Sequence, residues 1–172
     1  GTGFDAGAGW SLVVAFTAPS QPSRNLSVFD GYASVSRANR RVDITVSGFT
    51  VPSFGDVNTR IGAMTMEGDR GISGDRLRLN GSSLSDAAHP ANNFFNSAIA
   101  RDGIAVTDKV PNYANQLGLD LFTTSTSNLL ANSATSAEIT LTSTGDAYFP
   151  QVVTFATPIF APQLTATKSV TD

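Results

Sequence analysis

The sequence predicts an all-β domain: an antiparallel β-sandwich, jelly-roll-like or Ig-like, with long loops and at most one short helix. Short segments alternate apolar and polar residues with a period of two, which is the pattern of half-buried strands. Fifteen glycines and eight prolines are scattered among the 172 residues and mark turns between these segments. The sequence contains no sustained helical period and no βαβ spacing. We therefore expect about eight to ten short strands.

Composition excludes several classes of protein. The net charge is −3, so the chain lacks the basic surface that binding to nucleic acid requires. No apolar run approaches the ~18 residues of a membrane-spanning helix, so membrane insertion is not expected. The absence of cysteine excludes disulfides, thiolate metal sites and cysteine nucleophiles. Charged residues are only 15% of the chain, against about 25% in an average domain. Low charge, abundant Ser and Thr, and no cysteine together favour an extracellular, bacterial setting.

The first predicted strand is residues 10–16, where Trp10, Leu12, Val14 and Phe16 alternate with Ser11, Val13 and Ala15. A tryptophan that shares a face with three apolar side chains is expected in the core. Two prolines within residues 17–23 then break the chain. In the next segment Leu26 and Val28 share a face, and Asp30-Gly31 gives a turn signal.

The central strands show the clearest alternation. Residues 42–46 place Val42, Ile44 and Val46 on one face, and residues 59–66 do the same with Ile61, Ala63 and Thr65. Asn80-Gly81, between the alternating "RLRL" and "SSL", predicts a small hairpin. Residues 85–116 have a weak pattern that allows one short helix or a strand.

The last strands lie in "SAEITLTS" and "YFPQVVTFATPIF". The first segment buries Ala137, Ile139 and Leu141 by alternation. The second is a long apolar run interrupted by Pro150 and Pro158, which favour an edge strand or a bent strand. The predicted core consists of Trp10, Leu12, Val14, Val42, Ile44, Val46, Ile139, Leu141 and Phe155.

Several segments together resemble a known family. "GWSLVVAF", "RNLSVFDGYASV", "GDRLRLNGSSLSD", "NNFFNS", "NQLGLDL" and "SAEITLTSTGDAYFPQVVTFAT" are similar to a β-rich domain of large bacterial cell-surface, adhesin-like proteins. This resemblance covers most of residues 9–162. In that family the domain precedes Ig-like repeats in long secreted or wall-associated chains. The resemblance implies a setting and no catalytic residues.

The resemblance also implies where the domain ends. Residues 1–162 are expected to form the sandwich, and residues 163–172 resemble a linker and the start of a following Ig-like repeat. Lys168 would then belong to the next domain. Some related repeats use a lysine near such a position in an isopeptide bond with an asparagine. The favoured interpretation of Lys168 is a solvated lysine at a strand end. Similar proteins carry further β-sequence upstream, so the domain can be truncated at its N-terminus, with a sheet edge left unpaired.

The stretch "EGDRGISGD" allows three interpretations. Glu67, Asp69 and Asp75 provide three carboxylates for Ca²⁺, which takes six to eight oxygen ligands, although the EF-hand pattern is absent. Glu67 and Asp75 could alternatively form the acid/base pair of a glycosidase. In the third interpretation Gly68, Gly71 and Gly74 supply positive φ, and the two aspartates cap turns. The turn is the favoured interpretation.

His89 is the only histidine, so a Ser-His-Asp hydrolase would have to use it, with Asp86 or another aspartate as the orienting carboxylate. It lies in "DAAHPANN", a segment with the composition of a loop, and no G-x-S-x-G motif accompanies it. A polar loop histidine is the favoured interpretation. Tyr32 and Tyr113 lie in predicted loops and are the candidates for contact with a ligand such as a sugar.

The sequence therefore predicts a non-enzymatic, extracellular structural or adhesive module of a bacterial surface protein. The alternative is a carbohydrate-binding module, with Ca²⁺ as an optional cofactor. The expected partners are other surface-protein domains, glycans, or copies of the chain itself joined through β-strand pairing. The apolar "VVTFATPIF" and the trailing "LTATKSV" are the expected donors or edges for such pairing.

Overall fold

The alternating segments pair into two β-sheets in the computed structural model, which describes residues 9–159 and 166–169. The strands are β1 (Arg24–Asp30), β2 (Arg41–Ser47), β3 (Asn58–Met66), β4 (Arg76–Leu79), β5 (Ser82–Ser83), β6 (Ile99–Arg101), β7 (Ile104–Ala105), β8 (Leu119–Ser127), β9 (Ser136–Thr142) and β10 (Phe149–Pro158). The described residues contain no helix. The all-β fold class predicted from the sequence is confirmed.

The chain crosses repeatedly between the two sheets. The six-stranded sheet has the order β1-β10-β3-β8-β6-β7, and the four-stranded sheet has the order β2-β9-β4-β5. All strand pairs are antiparallel except β6 with β8. Most strands bury one face, which is why the alternation was visible in the sequence, whereas β3 is buried on both faces from Ile61 to Met66. β1 is an edge strand of the six-stranded sheet, and β2 is an edge strand of the four-stranded sheet. The two edges face each other across an open side of the sandwich.

The core between the sheets contains four of the nine residues predicted for it, and two more pack against its edge. Val46, Ile139, Leu141 and Phe155 are buried, whereas Val42 and Ile44 of β2 are partly buried and pack against the core from its edge. Four aromatic rings fill the end of the core beside β8: Phe94, Phe95, Phe122 and Tyr148. The hairpin of β4 and β5 is confirmed, with Asn80 and Gly81 at φ 47° and 80°, as expected for a type I′ turn.

The prediction that residues 10–16 form a core strand is wrong. This segment is outside every strand, and Trp10, Leu12 and Val14 are 85%, 76% and 64% exposed. Alternation marks a segment that can form a strand, but a strand needs a paired neighbour, and no described residue pairs with this segment. At its start, Gly9 lies beside the side chains of Met64 and Met66 on β3.

The prediction that "VVTFATPIF" forms an edge or a donor strand is also wrong. β10 lies between β1 and β3, so both of its edges are occupied. The strand is bent, as the prolines suggested, because its register shifts between Pro150 and Val152. Pro158 is its last residue, so both prolines lie near strand ends, where a missing N–H interrupts few ladder bonds.

The predicted tail lies largely outside the described residues. Residues 166–169 form no strand and are exposed, and residues 160–165 and 170–172 are not described. The linker, the following repeat and the pairing of "LTATKSV" therefore stay predictions. No helix in the described ranges is long and apolar enough to cross a membrane.

Candidate functional site

The stretch "EGDRGISGD" connects β3 to β4. The turn interpretation predicted positive φ at its three glycines, and only one of them has it. Gly74 has φ 121°, as expected, but Glu67 is the other residue with positive φ, at 66°. The expectation of positive φ at Gly68 and Gly71 is wrong. Gly68 is needed for space instead, because a Cβ there would overlap Asp120 Oδ2 and the backbone of Phe95.

The three carboxylates predicted as metal ligands lie in different environments. Glu67 is half-buried at the end of β3, Asp69 is exposed, and Asp75 is fully buried. Asp75 Oδ2 accepts a hydrogen bond of 2.6 Å from the N–H of Phe95, twenty residues away, rather than capping a local turn. Among the described residues, no three His, Cys, Asp or Glu side chains are arranged to hold a metal ion. Calcium binding by Glu67, Asp69 and Asp75 remains a prediction.

Three buried aspartates accept hydrogen bonds from backbone N–H groups of the loops at the end of the sandwich where β3 ends. Asp75 holds the N–H of Phe95, and Asp120 Oδ1 accepts from the N–H of Ala98 at 3.0 Å. Asp146 Oδ2 accepts from the N–H of Asp69 at 2.9 Å. The first two bonds fix residues 94–98, and the third fixes the β3–β4 connection. Each carboxyl group therefore satisfies backbone donors that would otherwise be unpaired in a buried loop.

Burial perturbs all three carboxyl groups in the same direction. Loss of solvent raises the pKa of Asp120 to about 7, a shift that backbone N–H partners oppose and the nearby Asp75 carboxylate supports. Loss of solvent also raises the pKa of Asp75 and of Asp146 to about 6 each, against the lowering effect of their backbone N–H partners. Burial likewise raises the pKa of Tyr148, whose hydroxyl donates to the carbonyl of Thr142 at 3.1 Å.

Carboxyl groups with such pKa values suit proton transfer, but these are enclosed. Asp75, Asp120 and Asp146 are 0%, 1% and 2% exposed, so a substrate has no access to them. Asp75 Oδ1 and Asp120 Oδ2 have no hydrogen-bond partner among the described residues, nor does Thr65 Oγ1, which is opposite Asp120 in the β3–β8 register. A protonated carboxyl donates one bond and removes the cost of an isolated buried charge. The arrangement is therefore suited to holding protons within the fold.

His89 is buried and not the polar loop residue expected from its neighbours. Only 1% of it is exposed, and its ring stacks on Phe94 with centroids 5.0 Å apart. The Nδ1 atom lies 2.8 Å from Asp86 Oδ1, so the predicted orienting carboxylate is in place. Nε2 has no partner among the described atoms, and it is enclosed. Burial lowers the pKa of His89, although the Asp86 carboxylate opposes this effect. The pair secures the 86–89 turn, in which Asp86 Oδ1 also accepts from the N–H of His89.

Tyr32 borders an apolar groove in the described surface. A groove of about 210 Å³ runs between β1, β10 and β2 on the open side of the sandwich. Its apolar lining includes Phe29, Val42, Ile44, Pro150 and Val153. Tyr32 is 71% exposed, and its ring stacks on Phe149 at a centroid distance of 5.5 Å and an interplanar angle of 11°. The stack holds a flat aromatic face at the mouth of the groove, with Asp30 and Gln151 as polar neighbours.

Tyr113, the second predicted ligand residue, does not line this groove. It is 62% exposed in the loop before β8, where its carbonyl accepts from Lys109 Nζ at 2.8 Å and also from the Gln116 side chain. A separate groove of about 220 Å³ is lined mainly by hydroxyl groups from residues 83–85 and 124–127. Neither of these two grooves is lined by both Tyr32 and Tyr113, so the two predicted ligand residues do not share a groove.

Sequence reasoning missed Asp120, Asp146 and Phe149. Asp120 interrupts the apolar positions of "LGLDLF", and a carboxylate in an alternating strand is a signal that a buried role exists. Asp146 stands in "STGDAY" between two strands, where it resembles an ordinary turn residue. Phe149 gave no signal for a surface stack, because its partner is 117 positions away in the chain.

Comparison of the sequence with protein-family models and with curated proteins gave no match.

Proposed function

We propose that this domain is a non-enzymatic structural or adhesive module of an extracellular bacterial surface protein, and that it makes contact through the groove beside Tyr32. The groove carries the proposal because it combines an apolar floor, an aromatic ring fixed by stacking and two polar neighbours. Binding sites commonly combine an apolar lining with a few placed polar groups. Tyrosine supplies a large contact area and loses little conformational entropy on binding.

The burial and hydrogen bonding of the groups with perturbed pKa values support a non-enzymatic role. Groups with perturbed pKa values are often catalytic when they line a cleft. Here Asp75, Asp120 and Asp146 each bond a backbone N–H inside the fold, and His89 is enclosed by aromatic rings. Each of these buried groups with a perturbed pKa therefore has a structural role, either as a hydrogen-bond acceptor for the backbone or as part of the aromatic packing.

Composition supports the extracellular setting. The chain has no cysteine and only 15% charged residues, and its exposed strand positions carry Ser, Thr and Asn in place of many charges. Such a surface is consistent with a domain of a larger protein on the outside of the cell.

Adhesion of coated beads tests the groove. Beads that carry the domain are allowed to settle on panels of immobilised polysaccharide and of purified surface-protein domains. We expect Tyr32→Ala to reduce attachment at least about tenfold, because a hot-spot aromatic contributes about 2 kcal/mol or more. Phe54→Ala is the matched control, since Phe54 is 75% exposed but does not line the groove. Equal loss in both variants, or in neither, would exclude the groove as the contact site.

Carbohydrate binding is the second candidate, and the Tyr32–Phe149 stack is the observation that favours it. A ring that is fixed and exposed offers its face to the apolar side of a sugar. A glycan array with and without a calcium chelator separates the possibilities. Binding that Tyr32→Ala abolishes and chelator does not affect assigns the sugar to the groove. Chelator-sensitive binding would instead assign a role to Glu67, Asp69 and Asp75, and loss in Tyr113→Ala alone would assign it to the loop before β8.

A further inference from the structure

Among the described residues, one backbone edge of β1 has no pairing partner. The other edge pairs with β10 through seven consecutive residue pairs without a bulge. The N–H of Gly31 donates to the carbonyl of Gln151, which continues this ladder, so the odd-numbered residues of β1 bond to β10. The backbone groups of Leu26 and Val28 consequently point to the free side. These groups are a template for another strand.

The side chains at this edge are also suited to pairing. Leu26 and Val28 are 55% and 51% exposed on the outer face of the sheet. Proteins usually protect edge strands with charges, prolines or bulges. β1 has none of these between its terminal residues, Arg24 and Asp30. An apolar, regular edge of this length is a surface that is expected to be covered.

Residues 10–16 have the properties of the missing strand. The segment is unpaired among the described residues, and its four large alternating side chains, Trp10, Leu12, Val14 and Phe16, are 64–85% exposed. It contains seven residues, as β1 does. It has no charged residue and no proline, so each of its residues can donate to a ladder.

We propose that residues 10–16 of one copy add as an antiparallel strand to the free edge of β1 in a second copy, and that the exchange is reciprocal. One register satisfies both strands: Leu12 lies opposite Val28, and Val14 lies opposite Leu26. These pairs bring the exposed apolar side chains together on the outer face and use the free backbone groups of Leu26 and Val28. A twofold axis then gives each chain one donor and one acceptor edge.

A second copy is favoured over the chain's own segment by the path of the backbone. Gly9 lies beside Met64 and Met66 of β3, and β10 separates β3 from β1. The segment therefore begins on the far side of β10 from its own β1 edge. The connection from residues 10–16 to β1 contains a turn, closed by the bond from the N–H of Gln21 to the carbonyl of Ala18. Pro19 lies in this turn and stiffens the connection. A donor segment held away from its own acceptor remains available to a neighbour.

Cysteine pairing tests the register, because the chain has no cysteine of its own. In this register Val13 faces Ser27 as a non-hydrogen-bonded pair, with Cα atoms ~4.5 Å apart, a distance that a disulfide spans. A mixture of Val13→Cys chains and Ser27→Cys chains should give a covalent dimer under mild oxidation. Thr50→Cys in place of Ser27→Cys is the control and should give none. If the chain carrying both cysteines closes within itself at low concentration, the donor belongs to its own chain and the proposal is wrong.

Sedimentation equilibrium tests the association without cross-linking. The 17.9 kDa chain should double its mass as its concentration rises. The combined Leu12→Asp and Val14→Asp variant should remain a monomer with an unchanged circular dichroism spectrum, because these side chains are exposed. Val110→Asp is the matched control, since Val110 is fully exposed outside both strands, and it should associate like the wild type. A wild-type monomer at every concentration, or equal behaviour of the two variants, would refute the exchange.

Discussion

Replacement of Asp120 by asparagine should remove much of the pH dependence of stability. Asp120 is 1% exposed, and burial raises its pKa from the ordinary 3.8 to about 7. Because the folded state holds this proton more tightly than the unfolded state, acid favours folding. The contribution is complete below 3.8 and is lost as the pH rises through about 7. Asp120 therefore contributes more stability at pH 5 than at pH 8, whereas the buried His89, whose pKa burial lowers, acts in the opposite direction.

The size of the effect follows from the two pKa values. A difference of about three pH units corresponds to about 4 kcal/mol in the free energy of unfolding. Linkage places about 2.5 kcal/mol of this loss between pH 5 and pH 8 for Asp120 alone. Asp75 and Asp146 act with the same sign, because burial raises their pKa values to about 6. The interacting carboxyl groups of Asp75 and Asp120 should titrate together rather than as independent sites.

An asparagine in place of Asp120 keeps the shape and the acceptor for the N–H of Ala98 but carries no proton equilibrium. Urea unfolding at several pH values between 5 and 8 measures the free energy of unfolding for both proteins. We expect Asp120→Asn to be the more stable protein at pH 8 and to lose about 2.5 kcal/mol less than the wild type between the two limits. Asp108→Asn, at an exposed loop position, is the control. A pH dependence of stability in Asp120→Asn equal to that of the wild type would refute the reasoning.

Three further perturbations test the packing and the loop. Gly68→Ala should destabilise the fold by about 1–3 kcal/mol through overpacking, whereas Gly71→Ala, with open space around it, should change little; urea midpoints compare them. Ile139→Ala should cost about 2–5 kcal/mol, and Ile44→Ala should cost less because its side chain is only partly buried; equal costs would contradict the placement of β2 at the core edge. If residues 67–75 act only as a connection, chelator should leave the melting temperature unchanged, and a rise on adding Ca²⁺ would reveal a bound ion.

The strands with a buried face were predictable from their sequence. β2, β4 and β9 alternate because each has one face on the core and one toward solvent, and Asn80-Gly81 fixes the hairpin through positive φ at both residues. These signals are local, since they depend on neighbours within a few positions. The same local pattern failed for residues 10–16, because alternation does not state whether a partner strand is present.

The candidate site depended on contacts between distant positions. Tyr32 was identified as an exposed loop aromatic, but its stack on Phe149 and its place beside the β1–β2 groove follow from the pairing of β1 with β10. Asp120 is far in sequence from Asp75, and no spacing rule links them.

The sequence by itself determined the fold class, the hairpin and the inner faces of the strands, because periodicity and turn chemistry act over a few residues. Only the tertiary structure decided that β10 is a central strand, that Asp75, Asp120 and Asp146 are buried together at one end, and that His89 packs among aromatic rings. Burial, desolvation and edge pairing are properties of a residue's neighbours in space. In a sandwich whose chain crosses repeatedly between two sheets, those neighbours come from distant parts of the sequence.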